Sequence, residues 1–248
     1  GGAEARSLAE AEGHALLARS VEVPDGLTWP HDPETSPAPL HGLAHGNAGM
    51  ALALAGLATA TGDAGFQAAA DRALAYETRG FDPATGNWPD LRLNRFGGLQ
   101  SRDAAGTAAA GETRAPAMLA WCNGAAGSLR AGLAVAGPGW APAVPAASAI
   151  AAKLITDLAS PLCDCCLCHG VFGLAEVLDT AAKALDRADW AATAANALAE
   201  VEARYGTGSW PCGILPERES PGLFLGLAGI GHGFLRRADP GLASVLAI

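Results

Sequence analysis

Basic charge is scarce in this chain: 16 Lys and Arg stand against 25 Asp and Glu in 248 residues, a net charge of −9 with a pI near 5.0. Without a basic field to neutralise phosphates, nucleic acid is excluded as a partner. Also lacking is any unbroken apolar run of about 20 residues, so no stable membrane insertion is expected, and much of the 50% apolar content is Ala. Residues Gly1 to Val21 are acidic and amphipathic and have neither the basic nor the apolar region of a secretory signal, which points to a cytoplasmic protein. No Met heads the chain, which suggests a fragment or a processed piece. Nor do the six cysteines have the spacing of a disulfide framework. Four crowd into Cys163-Asp164-Cys165-Cys166-Leu167-Cys168 and cannot all pair with one another, so a reducing compartment with metal-bound thiolates is the better reading.

Glycine, by contrast, is abundant, with 32 residues, and much of it is ordered into a repeat. Three segments set a chemically active residue directly before Gly-x-x-Gly: Ala44-His45-Gly46-Asn47-Ala48-Gly49, Cys122-Asn123-Gly124-Ala125-Ala126-Gly127 and Cys168-His169-Gly170-Val171-Phe172-Gly173. A fourth, Gly226-Leu227-Ala228-Gly229, has the glycines without a ligand. Aligned on the first glycine, His45 and His169 share one register, and Cys122 and Cys168 share the register one residue earlier. Equivalent positions of a structural repeat face the same place, so these thiols and imidazoles are expected to converge.

Each Gly-x-x-Gly opens an Ala-rich segment with little charge, expected to be an inner helix buried nearly all round: Met50 to Ala60, Ser128 to Ala136, Leu174 to Leu185 and Ile230 to Arg237. Between them stand amphipathic segments charged on one side, Glu4 to Arg19, Phe66 to Arg79, Pro145 to Leu158 and Trp190 to Tyr205, expected to be outer helices. The repeat unit is near fifty residues, with one long insertion from Gly80 to Thr113, and the whole is read as a single all-α domain of α/α hairpins over residues 1–248. Strands, if present, are expected to be short and confined to loops.

Cys168-His169 with one distant Cys122 matches no zinc-finger spacing, so a short structural clip is excluded. Two thiolates and one imidazole leave one tetrahedral position open, the arrangement of a catalytic zinc ion. A thiol entering that position is held as thiolate at neutral pH. His45 shares the register of His169 but has no Cys beside it, which suits an acid or base better than a ligand. The plainer readings stand beside these. Cys122 could be a small buried apolar residue, His45 a loop residue, and Cys163, Cys165 and Cys166 either a second thiolate cluster or mere neighbours of the ligands. The other histidines, His14, His31, His41 and His232, do not share the register. Trp88-Pro89-Asp90 and Trp210-Pro211-Cys212 could rim a peptide groove or pack onto the body.

Taken together, Gly42-Leu43-Ala44-His45-Gly46-Asn47-Ala48-Gly49, Trp121-Cys122-Asn123-Gly124, Leu167-Cys168-His169-Gly170 and the run Pro221 to Gly231 resemble the lanthionine synthetase C-like cyclases. The loop Phe81 to Arg92, with Asn87-Trp88-Pro89-Asp90, and the closing Leu235 to Pro240 look most like the C-terminal cyclase domain of class II lanthipeptide synthetases (LanM type). The resemblance runs from about His41 to the end and implies an α/α toroid, of whose seven hairpins this chain holds about four plus a leading outer helix. It implies Zn2+ held by Cys122, Cys168 and His169, with His45 as the catalytic acid/base and Asp90 and Asn123 as candidate substrate-binding residues. The implied activity is Michael addition of peptide cysteines to dehydroalanine or dehydrobutyrine in a dehydrated precursor peptide, giving lanthionine or methyllanthionine. Alternatives are addition of a soluble thiol such as glutathione to dehydroamino acids, or a non-catalytic zinc- or peptide-binding fragment. Met118 stands where stand-alone cyclases have Arg, and Cys165 and Cys166 stand where the family has no thiols. The missing N-terminal cyclase hairpins and a dehydratase domain are expected in the full-length enzyme, which allows that this piece is inactive alone.

Overall fold

Small residues set the packing of this protein. Ala and Gly line the faces along which its helices meet, so helix axes approach closely while Leu, Ile and Phe fill what remains. The computed structural model describes residues 2–24, 26–32, 38–92, 117–161, 163–214 and 218–246. Eight helices are described: α1 (Ala3–Ala18), α2 (Asn47–Thr61), α3 (Ala64–Arg79), α4 (Ala125–Ala136), α5 (Ala143–Ala159), α6 (Val171–Ala184), α7 (Ala188–Tyr205) and α8 (Leu227–Ala238). The strands β1 (Val21–Val23) and β2 (Gly26–Thr28) pair antiparallel between α1 and α2, as short as the sequence led one to expect.

The hairpins α2/α3, α4/α5 and α6/α7 each join an inner helix to an outer one, and the inner helices α2, α4, α6 and α8 contact one another in sequence. This is the all-α, α/α-toroid architecture. Each connection has its own stop and start. Gly62 ends α2 in the left-handed region (φ 79°), and Asp63 then caps α3 by accepting from the Gly65 N–H at 2.7 Å. Between α4 and α5 the Trp140 ring lies over Gly132, where any Cβ would collide with it. Leu54, Leu129, Ile150, Leu154, Leu174 and Leu178 are fully buried between the layers. Each contributes about 1.5–3 kcal/mol relative to exposure.

Two expectations change at the ends of the array. α8 is not buried all round: Leu227 and Leu235 are 36% and 61% exposed, because no described helix covers that face. The fourth unit is accordingly an inner helix without an outer partner among the described residues. α1 lies across the α2/α3 hairpin, where Gly13 admits Leu57 and Phe66 against its backbone.

The Gly-x-x-Gly motifs have a direct steric cause. In every copy, a Cβ on either glycine would run into the carbonyl oxygen six residues earlier: Leu40 and Leu43 in the first motif, Met118 and Trp121 in the second, Asp164 and Leu167 in the third, Ser220 and Leu223 in the fourth. The chain therefore folds back on itself before entering each inner helix, and only glycine allows the approach. Of the Gly80 to Thr113 insertion, residues 93–113 lie outside the described residues. Its first part closes a turn through the Asp82–Asn87 bridge and buries Trp88 completely.

Candidate functional site

The four motif loops lie side by side at one end of the inner helices, laced by main-chain hydrogen bonds. Ala44 N–H donates to the Cys122 carbonyl (3.0 Å), Trp121 N–H to that of Cys168 (2.7 Å), and Cys168 N–H to that of Phe224 (3.0 Å). These bonds join nearly equivalent positions of successive repeats, so the residues just before each first glycine are brought to one place. Helix N-termini stand behind them and add partial positive charge.

Cys122, Cys168 and His45 meet there. The Cys168 and His45 side chains lie near enough to the Cys122 thiol to act on its ionisation. Sharing a proton with Cys168, helped by His45 and the Arg92 guanidinium, holds Cys122 well below the ordinary thiol range despite its burial. Cys168 is pushed up in turn, because a second thiolate beside the first is disfavoured. The pair therefore carries one negative charge readily and a second one only with a cation at hand. Arg92, whose charge acts on both sulfurs, is clamped by Asp90, which accepts from its Nε at 2.8 Å and its Nη2 at 2.5 Å. Burial raises the Asp90 pKa, but those bonds outweigh it and leave the carboxyl below its usual range. Asp90 also faces the charge of His45, and the His45 side of this arrangement is open to solvent.

The remaining candidates lie one layer away. Asn123 is fully buried. Its amide nitrogen donates to the His41 carbonyl at 3.5 Å and its Oδ1 has no hydrogen-bond partner among the described residues. His169 follows Cys168 directly, yet its imidazole is turned to the other side of the loop. There Nδ1 pairs with Asp164 Oδ2 and stands 3.6 Å from Cys166 Sγ. The Asp164 carboxylate, with Cys166 adding, lifts the His169 pKa to about 10 against the effect of burial. Asp164, Cys166 and His169 have ligand atoms all within 4.8 Å of one another. All six cysteines are free thiols. The Cys165 thiol donates to the Cys163 carbonyl, the Cys163 thiol stands 3.8 Å from the Tyr205 hydroxyl, and Cys212 is buried against the Trp210 carbonyl.

A soft divalent ion suits this chemistry. Two neighbouring thiols, one already inclined to ionise, meet the basic requirement of a sulfur-rich zinc centre, and an imidazole is available on the adjoining residue. Of four further contributors, only Cys166 was singled out by the sequence, as part of a possible second thiolate cluster. Arg92 is two residues beyond Asp90, Asp164 and Cys166 lie inside the cysteine-rich run, and Glu77 is on an outer helix. Asp90 and Arg92 belong to one recognisable loop motif, which was the available signal. For Glu77 the sequence offers none beyond a carboxylate on the mostly apolar face of α3.

Glu77 organises the loop that carries His45. Wholly buried, its carboxylate accepts from Ser128 Oγ (2.5 Å), Gly42 N–H (3.0 Å) and His41 Nδ1 (3.2 Å). One side chain from α3 thus ties the first motif loop to α4, the helix that follows Cys122.

An α/α array whose repeated loops gather thiols and imidazoles at one end defines the class. The family model for lanthionine synthetase C-like proteins matches residues 8–248, and the chain belongs to that family. Membership supports a lanthionine synthetase-type cyclase or related thiol-addition chemistry. No curated protein matches the chain. Among the described residues, no helix is long and apolar enough to cross a membrane.

Proposed function

We propose that this chain carries the site of a zinc-dependent lanthipeptide cyclase, in which a cysteine thiolate of a dehydrated precursor peptide adds to the β-carbon of dehydroalanine or dehydrobutyrine. The observation that carries the reading is the main-chain lacing of the three motif loops, Ala44 to Cys122 and Trp121 to Cys168, which brings the loops of His45, Cys122 and Cys168 to one end of the inner helices. Cys122, Cys168 and His169 are the proposed zinc ligands; His169 joins the thiol pair by turning its imidazole away from Asp164. When bound, zinc supplies thiol activation and a template for the incoming cysteine.

The protein's own groups account for the rest. Arg92, held by Asp90, keeps positive charge beside the thiol pair and favours an anionic sulfur there. Addition to the dehydroamino acid leaves an enolate whose α-carbon must gain a proton. His45 stands on the solvent side of the sulfurs, where a peptide has access, and is the proposed donor; proton transfer of this kind contributes about 10² to 10⁴ in rate. Asp90, which holds Arg92 and acts on His45, is the proposed contact to the peptide. Asn123, from beneath, keeps the His41–Gly42 turn against the Cys122 loop and so supports the peptide site. A cytoplasmic location fits a reaction that needs free peptide thiols.

The test is conversion of a dehydrated precursor peptide, read as loss of free thiol by alkylation and mass spectrometry. Wild type should cyclise it; Cys122→Ala and Cys168→Ala should lose activity and the two-sulfur band of the protein loaded with Co2+ in place of zinc, and His45→Ala should keep zinc and cyclise slowly. Addition of glutathione to the same peptide in place of ring closure would assign the soluble-thiol reaction instead. A two-sulfur Co2+ band retained in both cysteine variants would refute the ligand assignment.

A further inference from the structure

The loop between α5 and α6 holds a second set of donors, two of which, Asp164 and Cys166, the cyclase chemistry does not use. Within six residues, Asp164, Cys166 and His169 offer a carboxylate, a thiol and an imidazole, the three ligand types that zinc accepts besides water. Asp164 divides its oxygens. Oδ1 accepts the Cys166 N–H at 2.8 Å and fixes the turn, while Oδ2 faces Cys166 Sγ at 3.1 Å and the imidazole of His169. Cys166 Sγ and His169 Nδ1, 3.6 Å apart, match an edge of a tetrahedron whose metal bonds are about 2.0 to 2.3 Å, roughly 3.3 to 3.8 Å long, whereas Asp164 Oδ2 stands closer to both and must draw back as an ion takes the place of its proton-shared contacts.

Three independent features favour a cation there over a simple hydrogen-bonded knot. The His169 N–H is directed at Cys166 Sγ, 3.4 Å away, so the sulfur already receives a main-chain donor that would support it as a thiolate. The framework is rigid: Cys165 N–H binds the Pro211 carbonyl (3.0 Å), Val171 N–H that of Asp164 (2.9 Å), and Gly213 leaves room where a Cβ would meet both Cys166 Sγ and His169 Cε1. The route in from solvent is also present. Asp164 and His169 line a cleft of about 290 Å³ with Lys153, Asp157 and Met118, while Cys166 forms the buried floor of the set.

We propose that Asp164, Cys166 and His169 form a second position for a thiophilic divalent cation of the Zn2+ or Co2+ type, separate from the Cys122–Cys168 pair. A thiolate and an imidazole select such an ion over Mg2+ or Ca2+, which take oxygen ligands. Cys166 is the sulfur that distinguishes the two positions; His169 is common to both, so the ion held by the triad is released when His169 turns to the thiol pair. The proposal does not require the cyclase reading to hold.

The experiment titrates the metal-free 248-residue chain with Co2+, read by the thiolate-to-cobalt charge-transfer band, and with Zn2+, read by metal analysis after gel filtration. A Cys122→Ser/Cys168→Ser variant should still bind one Co2+ with a band of one-sulfur intensity. Adding Cys166→Ser should abolish the band, and Asp164→Asn in the same background should weaken binding about tenfold or more. If the double variant does not fold by circular dichroism, Cys122→Ser alone serves as the background, with the same comparison against added Cys166→Ser. A folded background variant without a thiolate band, or one whose band is unchanged by Cys166→Ser, overturns the proposal. The cyclase ligands are judged apart from this, by whether a two-sulfur band persists in the single Cys166→Ser variant.

Discussion

Replacing Glu77 by alanine is expected to be among the most damaging single changes to this protein. The carboxylate is fully buried and accepts from Ser128 Oγ, Gly42 N–H and His41 Nδ1, at 2.5, 3.0 and 3.2 Å. Alanine leaves all three donors in a dry interior with nothing to accept them, and adds a cavity. A neutral hydrogen bond contributes about 1 kcal/mol net, one to a charged acceptor about 1.5–3 kcal/mol, and removing one member of a buried charged network about 3–5 kcal/mol. A loss of about 3–5 kcal/mol is therefore expected, a large share of the roughly 5–15 kcal/mol by which domains are stable. Glu77→Gln retains the shape and one accepting oxygen, and Ser128 can turn to accept from the new amide, so about 1–3 kcal/mol is expected. The assay is urea unfolding followed by circular dichroism, comparing midpoints at unchanged slope. A folded Glu77→Ala protein within about 1 kcal/mol of wild type, or a Gln variant as damaging as Ala, would refute the view that this carboxylate ties the two loops together.

Gly173→Ala should destabilise by about 1–3 kcal/mol or more, because its Cβ would meet the Leu167 carbonyl, a backbone atom that cannot step aside; an unchanged thermal midpoint would contradict this. Arg72→Ala should change the same midpoint little, its partner Glu22 being exposed and such pairs contributing about 0–1 kcal/mol; a loss beyond 2 kcal/mol would show an unrecognised role. Asp90 is held below its ordinary pKa of 3.8, so its contribution is present above that pH and lost as pH falls through the lowered value. Asp90→Asn should accordingly flatten the acid limb of the stability profile, and an identical profile would remove the Arg92 clamp from the account. His45→Ala in the intact enzyme should slow cyclisation by about 10² to 10⁴ or yield mixed configuration at the α-carbon, read by chiral analysis of the hydrolysed thioether, while zinc stays bound; unchanged rate and stereochemistry would assign the proton to another group.

The sequence alone determined the architecture, because its information is local and periodic. Each Gly-x-x-Gly is compelled by a carbonyl six residues earlier, and the alternation of apolar and one-sided segments separates inner from outer helices within a few residues of α2 to α8. The register of the motifs leads one to expect Cys122, Cys168, His45 and His169 to converge, since equivalent positions of a repeat are equivalent in space; the main-chain bonds do join the loops, while the His169 imidazole pairs with Asp164.

The tertiary structure alone decided the partners of each side chain. Which way the imidazole of His169 turns depends on Asp164 and Cys166 in the folded loop, and spacing cannot rank those neighbours against Cys122 and Cys168. Glu77 on α3 reads as an ordinary helix carboxylate until packing buries it against the first motif loop and Ser128 on α4. Arg92 likewise acts on the sulfurs only once the stretch from Phe81 to Arg92 is folded against the motif loops. Patterning specifies which face of an element is buried, whereas the choice of contacts within the buried space rests on distances between segments far apart in the chain. Those distances exist only once the chain is folded.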